Sequence, residues 1–486
     1  MTLAEAKATT FSVTDALPLC VDLDGTLIHS DTLLEGIVSH PRDARLARAV
    51  MTLFSSGRAA FKQSIAAGAP LDPALLPYNQ ALLGYLTKER DEGRYLVLAT
   101  AANQAIAESV AGHLGLFDEI VASDEKRNLK GPAKAAALCA RFGNRGFAYA
   151  GNDKSDLSVW KASGAALLVN VTSGVERRAR RLAPVEAMLA GNSASGRALL
   201  KAMRPHQWVK NLLVFIPIFT AHAVFDLSAW YNALLMFVAF CATASSIYLF
   251  NDATDLAADR RHPRKRLRPF ASGALSLSKG LSVACLLAVL GMATAVACGT
   301  LPVILTYAVM STAYSLSLKE QPLVDVFMLG ALYTIRLFGG GVATGHALSL
   351  WLLAFSGFLF LGLALLKRVA ELSSTRGSQG QLVARRGYAS CDMPILQTFG
   401  CCASFASSLV LALFVQREAT AAQYASPGLL WGIVPLMLFW QCRLWLSTTR
   451  GYMHDDPIVY SARDWVSWTV GASVMFILLL AYSVSI

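Results

Sequence analysis

Short, unbroken apolar runs punctuate the first part of the chain. Leu19-Cys20-Val21, Tyr95-Leu96-Val97-Leu98-Ala99 and Gly146-Phe147-Ala148-Tyr149-Ala150 each have the length of a buried strand, and helical patterns separate them. Such an alternation predicts an open α/β sheet, in which the site lies along the carboxyl edge of the strands. Each run delivers polar residues at that edge: Asp22-Leu23-Asp24-Gly25-Thr26-Leu27, then Thr100, then Gly151-Asn152-Asp153-Lys154-Ser155-Asp156. Residues 35 to 90 read as a largely helical insertion, placed where a cap over that edge would be.

Near residue 205 the pattern changes to a succession of apolar segments long enough to span a bilayer. They fall at about 209–225, 229–250, 280–299, 301–317, 323–344, 349–366, 395–415, 428–446 and 466–485, so the count is nine. Between the two regimes, Glu176 to Leu182 and Arg197 to Arg204 form a basic, helix-prone connector suited to an anionic membrane surface. The expected organisation is a soluble domain over 1–175, a linker over 176–204 and an all-α membrane domain over 205–486.

Charge sharpens this picture. The net charge of +11 over 486 residues could suggest nucleic acid, but its distribution argues against that partner, because the basic residues collect beside the apolar segments. With the N-terminus inside, the inner loops hold Arg260 to Arg268, Lys319, Lys367, Arg368, Arg376, Arg385, Arg386, Arg443, Arg450 and Arg463, and the outer loops essentially only Arg417. That asymmetry predicts a multi-pass inner (cytoplasmic) membrane protein with a cytoplasmic N-terminal domain and its C-terminus outside. Met1 to Pro18 shows no charged-then-apolar signal pattern, consistent with that side. Nine scattered cysteines, with Cys401-Cys402 read as helix packing, give neither a disulfide framework nor a metal spacing.

In the soluble part, convergence of Asp22, Asp24 and Asp153 would bind one Mg²⁺ and orient a phosphate for attack. The ordered elements DxDGT, strand-end Thr, Lys and a final Gly-Asn-Asp-x-x-Asp loop, over about residues 17 to 175, resemble the haloacid dehalogenase-type phosphatases. The resemblance implies a Rossmann-like fold with a helical cap, Asp22 as nucleophile, Asp24 as general acid/base and Thr100 holding phosphoryl oxygens. It places Asp153 at the metal and Asp156 in support of that loop, as part of the metal site. Lys130 is the first choice for the phosphate-neutralising lysine, and Lys134 the alternative. Asn152 departs from the aspartate common at its position.

In the membrane part the outstanding run is Asn251-Asp252-Ala253-Thr254-Asp255-Leu256-Ala257-Ala258-Asp259 at the end of an apolar segment. On a helix, Asn251, Asp255 and Asp259 share one face with Asp252 beside them, and carboxylates stacked in this way need a cation, Mg²⁺ with a diphosphate being the natural one. A basic run, Arg260 to Arg268, follows directly. Asp325 and Arg336 lie in one apolar segment on nearly the same face, where charge is expensive; a substrate site and a helix-locking pair are both open readings. Lys210, Tyr314, Lys319, Lys367 and Arg368 stand at segment mouths.

These features resemble the UbiA-type polyprenyl transferases. Arg204-Pro205-x-Gln207-Trp208-x-Lys210-Asn211, Lys265-Arg266-x-Arg268-Pro269, Tyr314-Ser315-x-x-Leu318-Lys319 and Lys367-Arg368-x-x-Glu371-Leu372 are similar to the decaprenyl-phosphate phosphoribosyltransferase branch. The resemblance implies transfer of 5-phosphoribosyl from phosphoribosyl diphosphate to a polyprenyl phosphate in the lipid bilayer, with Mg²⁺ on Asn251, Asp252, Asp255 and Asp259. Lys265, Arg266, Arg268 and Lys319 are then candidates for donor phosphates, and Lys210, Arg336 and Lys367 for donor or lipid phosphate, with Tyr314, Asp325 and Arg368 beside them. The loop after the sixth segment is basic, which sets the chain apart from aromatic prenyltransferases carrying a second Asp-rich motif there. A lipid carrier with a regulatory domain is the reading of another class. The pattern is compatible with a homo-oligomer.

Overall fold

The computed structural model describes residues 16–39, 71–124, 127–189, 195–373, 387–416, 424–453 and 456–483. Most of the expected cap, and Arg376, Arg385, Arg386 and Arg417, lie outside the described residues. The chain forms two compact units: residues 1–202 with Leu249–Ser282, and Met203–Tyr248 with Val283–Ile486.

In the first unit the order is β1 (Leu19–Val21), α1 (Thr32–Ser39), α2 (Gln80–Asp91), β2 (Leu96–Asn103), α3 (Gln104–Leu114), β3 (Glu119–Ser123), α4 (Pro132–Phe142), β4 (Ala148–Gly151), α5 (Leu157–Ala162), β5 (Ala165–Val169), α6 (Ser173–Ala179), β6 (Val185–Leu189) and α7 (Ser195–Met203). The six strands are parallel in the order β3-β2-β1-β4-β5-β6. Strand order therefore reverses between β1 and β4, and the crevice outside their carboxyl ends is where such sheets bind ligands. The period of two is visible in the core. Leu19, Val21, Leu96, Leu98, Ala148 and Ala150 pack on one face, and Cys20, Val97, Ala99, Phe147 and Tyr149 on the other. The sheet runs past the boundary expected at residue 175: α6 buries Val175 and Ala179, and β6 pairs with β5. Arg94 fastens that edge strand, donating to Leu17 O (2.8 Å), Glu89 (2.7 Å) and both carboxylate oxygens of Glu186.

The second unit opens on an eleven-residue 3₁₀ segment, Pro205–Phe215, entered through Arg204 at φ +55° and followed by α8 (Ile216–Thr220). The expectation of a regular helix over 209–225 is corrected here. Pro205 and Pro217 interrupt the backbone donors, and Trp208 is pinned through Ser245 Oγ (3.0 Å), which in turn donates to Met203 O. Next come α9 (Leu227–Thr254), α10 (Leu256–Arg261), α11 (Leu277–Ala297), α12 (Leu301–Leu316), α13 (Val324–Thr344), α14 (Leu350–Ser373), α15 (Met393–Val415), α16 (Ile433–Thr449), α17 (Pro457–Arg463) and α18 (Trp465–Ser483). Helices α9 and α11 each carry the chain from one unit to the other, and α10 belongs to the first. Among the described residues seven helices are long and apolar enough to cross a membrane, and α12 is a shorter apolar helix. Exposed Leu286, Phe327, Leu409 and Phe476 present the apolar side chains that a lipid-facing surface requires. Helix α13 is the most enclosed after α9 among these seven, with 61% of its apolar stretch buried against 11% for α18. At Gly340 it touches the 3₁₀ segment so closely that a Cβ would lie 2.1 Å from Val214 O.

Candidate active sites

The first site lies at the carboxyl ends of β1 and β4. Asp22 follows β1 directly, and its N–H extends the pairing to Ala150 O (3.0 Å). Helix α4 begins with Gly131 at φ +57° and Pro132 in its first turn, which brings Lys134 inward. Lys134 Nζ donates to Asp22 Oδ1 (2.7 Å) and Tyr149 Oη (2.8 Å). The lysine at Asp22 is thus Lys134; Lys130, the first choice from sequence, is exposed and lines the same cavity, its side chain without a partner among the described residues. Tyr149 passes the contact on to Asp156 Oδ1 (3.0 Å), whose Oδ2 accepts from the N–H groups of Asn152 and Asp153 (2.9 and 3.0 Å). Asp156 is therefore engaged on both oxygens as the organiser of its loop, and the expectation that it takes the metal directly is corrected. Asp24 accepts from Thr32 N (2.8 Å). Thr100 is fully buried and accepts from Ala102 N (2.9 Å), and Ala101, Ala102 and Asn103 form that part of the wall.

Burial raises the Asp22 carboxyl to about 6, with Lys134 opposing the rise and Asp156 adding to it. Burial and the nearby Asp31 raise Asp24 to about 7. Burial and mutual repulsion both disfavour charge on these two carboxyls, and a hard cation offsets both effects. Among the described residues no three acidic, histidine or cysteine side chains stand close enough to form a metal cluster of their own. The residues nonetheless fit Mg²⁺, which keeps several waters and takes one or two carboxylates plus substrate phosphate oxygens; Asp22, Asp24 and Asp153 line the cavity that would receive it.

The Asp-rich run forms the joint between α9 and α10. Helix α9 ends at Thr254 and Asp255 caps α10, yet Asp255 N still bonds Asn251 O (2.9 Å) and Asp259 N bonds Asp255 O (2.8 Å). The one-face spacing read from the sequence survives the break. Asp252 and Asp259 are almost completely buried, and Arg268 Nη1 lies between them at 3.1 and 2.7 Å. A guanidinium thus occupies the position between stacked carboxylates for which a cation was expected, so Arg268 is a partner of the acidic run and not an unattached phosphate ligand. Burial raises the Asp259 carboxyl, against the pull of Arg268. Lys265 and Arg266 are exposed in a 3₁₀ turn just before it.

Inside the second unit the expected cations separate into two groups. Lys210 and Lys367 both donate to Asp456 Oδ2, at 2.6 and 3.0 Å, and Tyr333 Oη reaches both oxygens of that carboxylate at 3.0 Å. Burial would raise Asp456, but the two ammonium groups hold it well below the usual carboxylate range. Arg336 adds a third cation within electrostatic reach of Lys210; it donates to Asn211 Oδ1 (2.7 Å) and Tyr307 Oη (3.1 Å). Asp325 and Arg336 do not pair. Asp325 instead faces Arg368, whose Nη2 is 2.6 Å from Oδ2, within ion-pair range though out of line for a hydrogen bond, and accepts from Tyr388 Oη at 2.5 Å. Arg368 also pairs with Glu371 and lies against Tyr314. Both members of the Asp325–Arg368 pair are at most 1% exposed, so the reading of these two as substrate ligands is corrected to a helix lock. Lys319 is half-buried in the turn after α12.

Comparison with known proteins agrees with both halves. The model of the UbiA prenyltransferase family matches residues 212–453, and that of haloacid dehalogenase-like hydrolases residues 19–159. An uncharacterized protein, y4nM, of Sinorhizobium fredii is 35% identical over 94% of this chain and 90% of its own length. The chain belongs to the UbiA prenyltransferase family. It is a multi-pass membrane transferase with a haloacid dehalogenase-type phosphatase domain fused ahead of it. The nodulation protein NoeC of Azorhizobium caulinodans is 35% identical over 58% of the chain and 90% of its own length. A decaprenyl-phosphate phosphoribosyltransferase of Corynebacterium glutamicum is 36% identical over 41% of the chain and 60% of its own length.

Several residues of this UbiA-family chain became visible only in the structure. Asp456 is one, although Asp456-Pro457 ahead of an apolar stretch is a helix start with an N-cap and Pro at N1, which the fold confirms. Asn211, Tyr307 and Tyr333, which hold Arg336 and Asp456, are others, and Tyr149 links Lys134 to Asp156. Glu35 is a further case: α1 of the phosphatase domain buries it against Arg260 of α10 in a two-pronged pair, Nη1–Oε2 2.8 Å and Nη2–Oε1 2.6 Å.

Proposed function

We propose that the membrane domain transfers 5-phosphoribosyl from phosphoribosyl diphosphate to a polyprenyl phosphate, and that the N-terminal domain removes the 5-phosphate of the lipid-linked product. The observation that carries this reading is the excess of positive charge around Asp456: the buried cations Lys210 and Arg336 and the half-buried Lys367, with one carboxylate among them. A prenyl diphosphate brings one diphosphate, for which a single metal-diphosphate site suffices, whereas a donor with an added 5-phosphate meeting a lipid phosphate brings the further anions that neutralise this excess. The name of the Corynebacterium relative supports the same substrates. An apolar crevice of about 680 Å³ between α13 and α14, lined by Phe327, Phe338, Leu353 and Phe358, suits an isoprenoid chain.

In the transfer, the bond from C1 to the diphosphate oxygen breaks and a bond from C1 to a lipid-phosphate oxygen forms. The acceptor is already an anion, so no side chain has to remove a proton. Asn251, Asp252, Asp255 and Asp259 would hold Mg²⁺, which when bound offsets charge developing on the departing diphosphate. Lys265, Arg266 and Lys319 supply cations for donor phosphates, while Arg268 offsets the charge of Asp252 and Asp259. In the phosphatase domain Asp22 attacks phosphorus, the ester bond to the sugar oxygen breaks, and Lys134 balances charge on the phosphoryl group. Asp24, raised to about 7, protonates the leaving oxygen and then takes a proton from the water that releases phosphate.

The reading places the chain in the inner membrane with its N-terminal domain cytoplasmic and its C-terminus outside. It brings the crossings to nine by adding α12 and the broken segment 205–220 to the seven long helices. The test is detergent-purified protein given phosphoribosyl diphosphate, polyprenyl phosphate and Mg²⁺. An Asp22→Asn variant should accumulate lipid-linked 5-phosphoribose and the unaltered protein its dephosphorylated form; prenylation of hydroxybenzoate from a prenyl diphosphate, without pentose transfer, would overturn the reading.

A further inference from the structure

The cavity in front of Asp22 is not built by the phosphatase domain alone. Its volume is about 1230 Å³, above the range of about 300–1,000 Å³ usual for small-ligand sites. One wall is the stretch Ser272 to Lys279, which lies in the UbiA-family part of the chain, within the same compact unit as the phosphatase sheet. That wall is fastened closely. Gly273, at φ +74°, approaches the phosphatase domain so tightly that a Cβ would stand 2.6 Å from His29 Cβ. Arg260 grips Glu35 with both Nη atoms and also donates from Nε to Ala271 O (3.2 Å), at the root of the wall.

Two lysines face this cavity from opposite sides of the fusion: Lys130 from the phosphatase domain and Lys279 from the first turn of α11. Both are exposed, and neither side chain has a hydrogen bond or ion pair to a described residue. The nucleophile's own charge is already matched by Lys134, so these two cations are surplus to a simple phosphomonoester. Rested on the phosphatase reading above, we propose that the Ser272–Lys279 wall is the specificity element of the phosphatase. In it Lys279, together with Lys130, receives a second anionic group on the substrate, as on a sugar bearing a reacting phosphate at one end and a phosphate ester at the other. Arg260 is the positioning residue that holds the wall against α1.

Full-length detergent-purified protein is assayed with Mg²⁺ for phosphate release from ribose 5-phosphate and from ribose 1,5-bisphosphate, which carries the second phosphate without a lipid. The unaltered protein should prefer the bisphosphate. Lys279→Ala should reduce the ratio of the two kcat/KM values about tenfold, the worth of one charge-assisted contact, chiefly through KM of the bisphosphate. Lys279→Arg should restore most of the ratio, and Arg260→Gln should shift it in the same direction as Lys279→Ala. An equal fall on both substrates, or no change in the ratio, overturns the inference while leaving the phosphatase reading standing. Absence of hydrolysis of either substrate overturns the phosphatase reading and this inference with it.

Discussion

Lys367 and Arg368 are adjacent in the sequence and meet opposite circumstances. Arg368 is enclosed with Asp325, Glu371 and the hydroxyl of Tyr388, so its positive charge is matched in full by carboxylate. Lys367 shares one carboxylate, Asp456, with Lys210, and Arg336 adds further positive charge nearby. Both residues are basic and both stand at the end of α14, so position and residue type do not distinguish them. Charge balance does. A matched buried cluster fixes helices against one another, whereas an unmatched one retains an electrostatic demand that only an incoming anion satisfies.

Four experiments would break or sharpen this contrast. The largest effect should come from the matched cluster: Arg368→Met leaves Asp325 buried and unpaired and should cost about 3–5 kcal/mol, read as a fall in unfolding midpoint in detergent. Pairing it with Asp325→Leu should recover most of that loss, and turnover per folded molecule should stay near that of the unaltered protein. The unmatched cluster should behave in the reverse way. Lys367→Met should lower diphosphate release roughly 10²–10³-fold, the scale of losing one donor to developing charge, with little change in midpoint.

Next in size is the pH dependence of the phosphatase site, where two raised carboxyls, Asp22 and Asp24, stand against one ammonium group, Lys134. Asp22 and Asp24 titrate near 6 and 7 in the fold against 3.8 in the unfolded chain. The folded form thus binds more protons between about pH 4 and 7, and metal-free protein should lose stability as pH rises across that window, by an amount on the order of a few kcal/mol. Added Mg²⁺ or Asp22→Asn should flatten the decline, and a midpoint rising with pH would contradict the account. The smallest effect belongs to Glu186, held below its ordinary 4.5 chiefly by Arg94. Its contribution is present above about pH 4.5 and lost on acidification, so Glu186→Gln should cost about 1 kcal/mol at pH 7 and less at pH 3.

How much of this was legible beforehand follows the range of the interactions. Strand-sized apolar runs and the polar residues behind them are local signals, and β1 and β4 with Asp22, Asp24 and Asp153 lie where those signals put them, whereas β2 runs on to Asn103 and keeps Thr100 buried within the strand. The Asp-rich run is also local, and its backbone bonds preserve the expected spacing. Edge strand β6 was missed because Val-Glu-Ala-Met-Leu is half exposed and gains its place only by pairing with β5. The choice between Lys130 and Lys134 turned on where α4 begins, which Pro132 decides but a Lys-rich pattern does not. Asp456 finds Lys210 and Lys367 at separations of 246 and 89 residues, and no window of sequence contains all three.

The contact at Gly340 gives Lys210 its address. Because the carbonyl of Val214 rests where a methyl group would otherwise be, the unusual winding of residues 205–215 is seated directly on the backbone of α13. Lys210 and Asn211 ride on that winding, and their reach toward Asp456 and Arg336 is set from below by an absent atom. Enlarging that one position to alanine would lift the platform before it touched any charged group, so an engineer wishing to detune the proposed anion site without altering its chemistry would begin there.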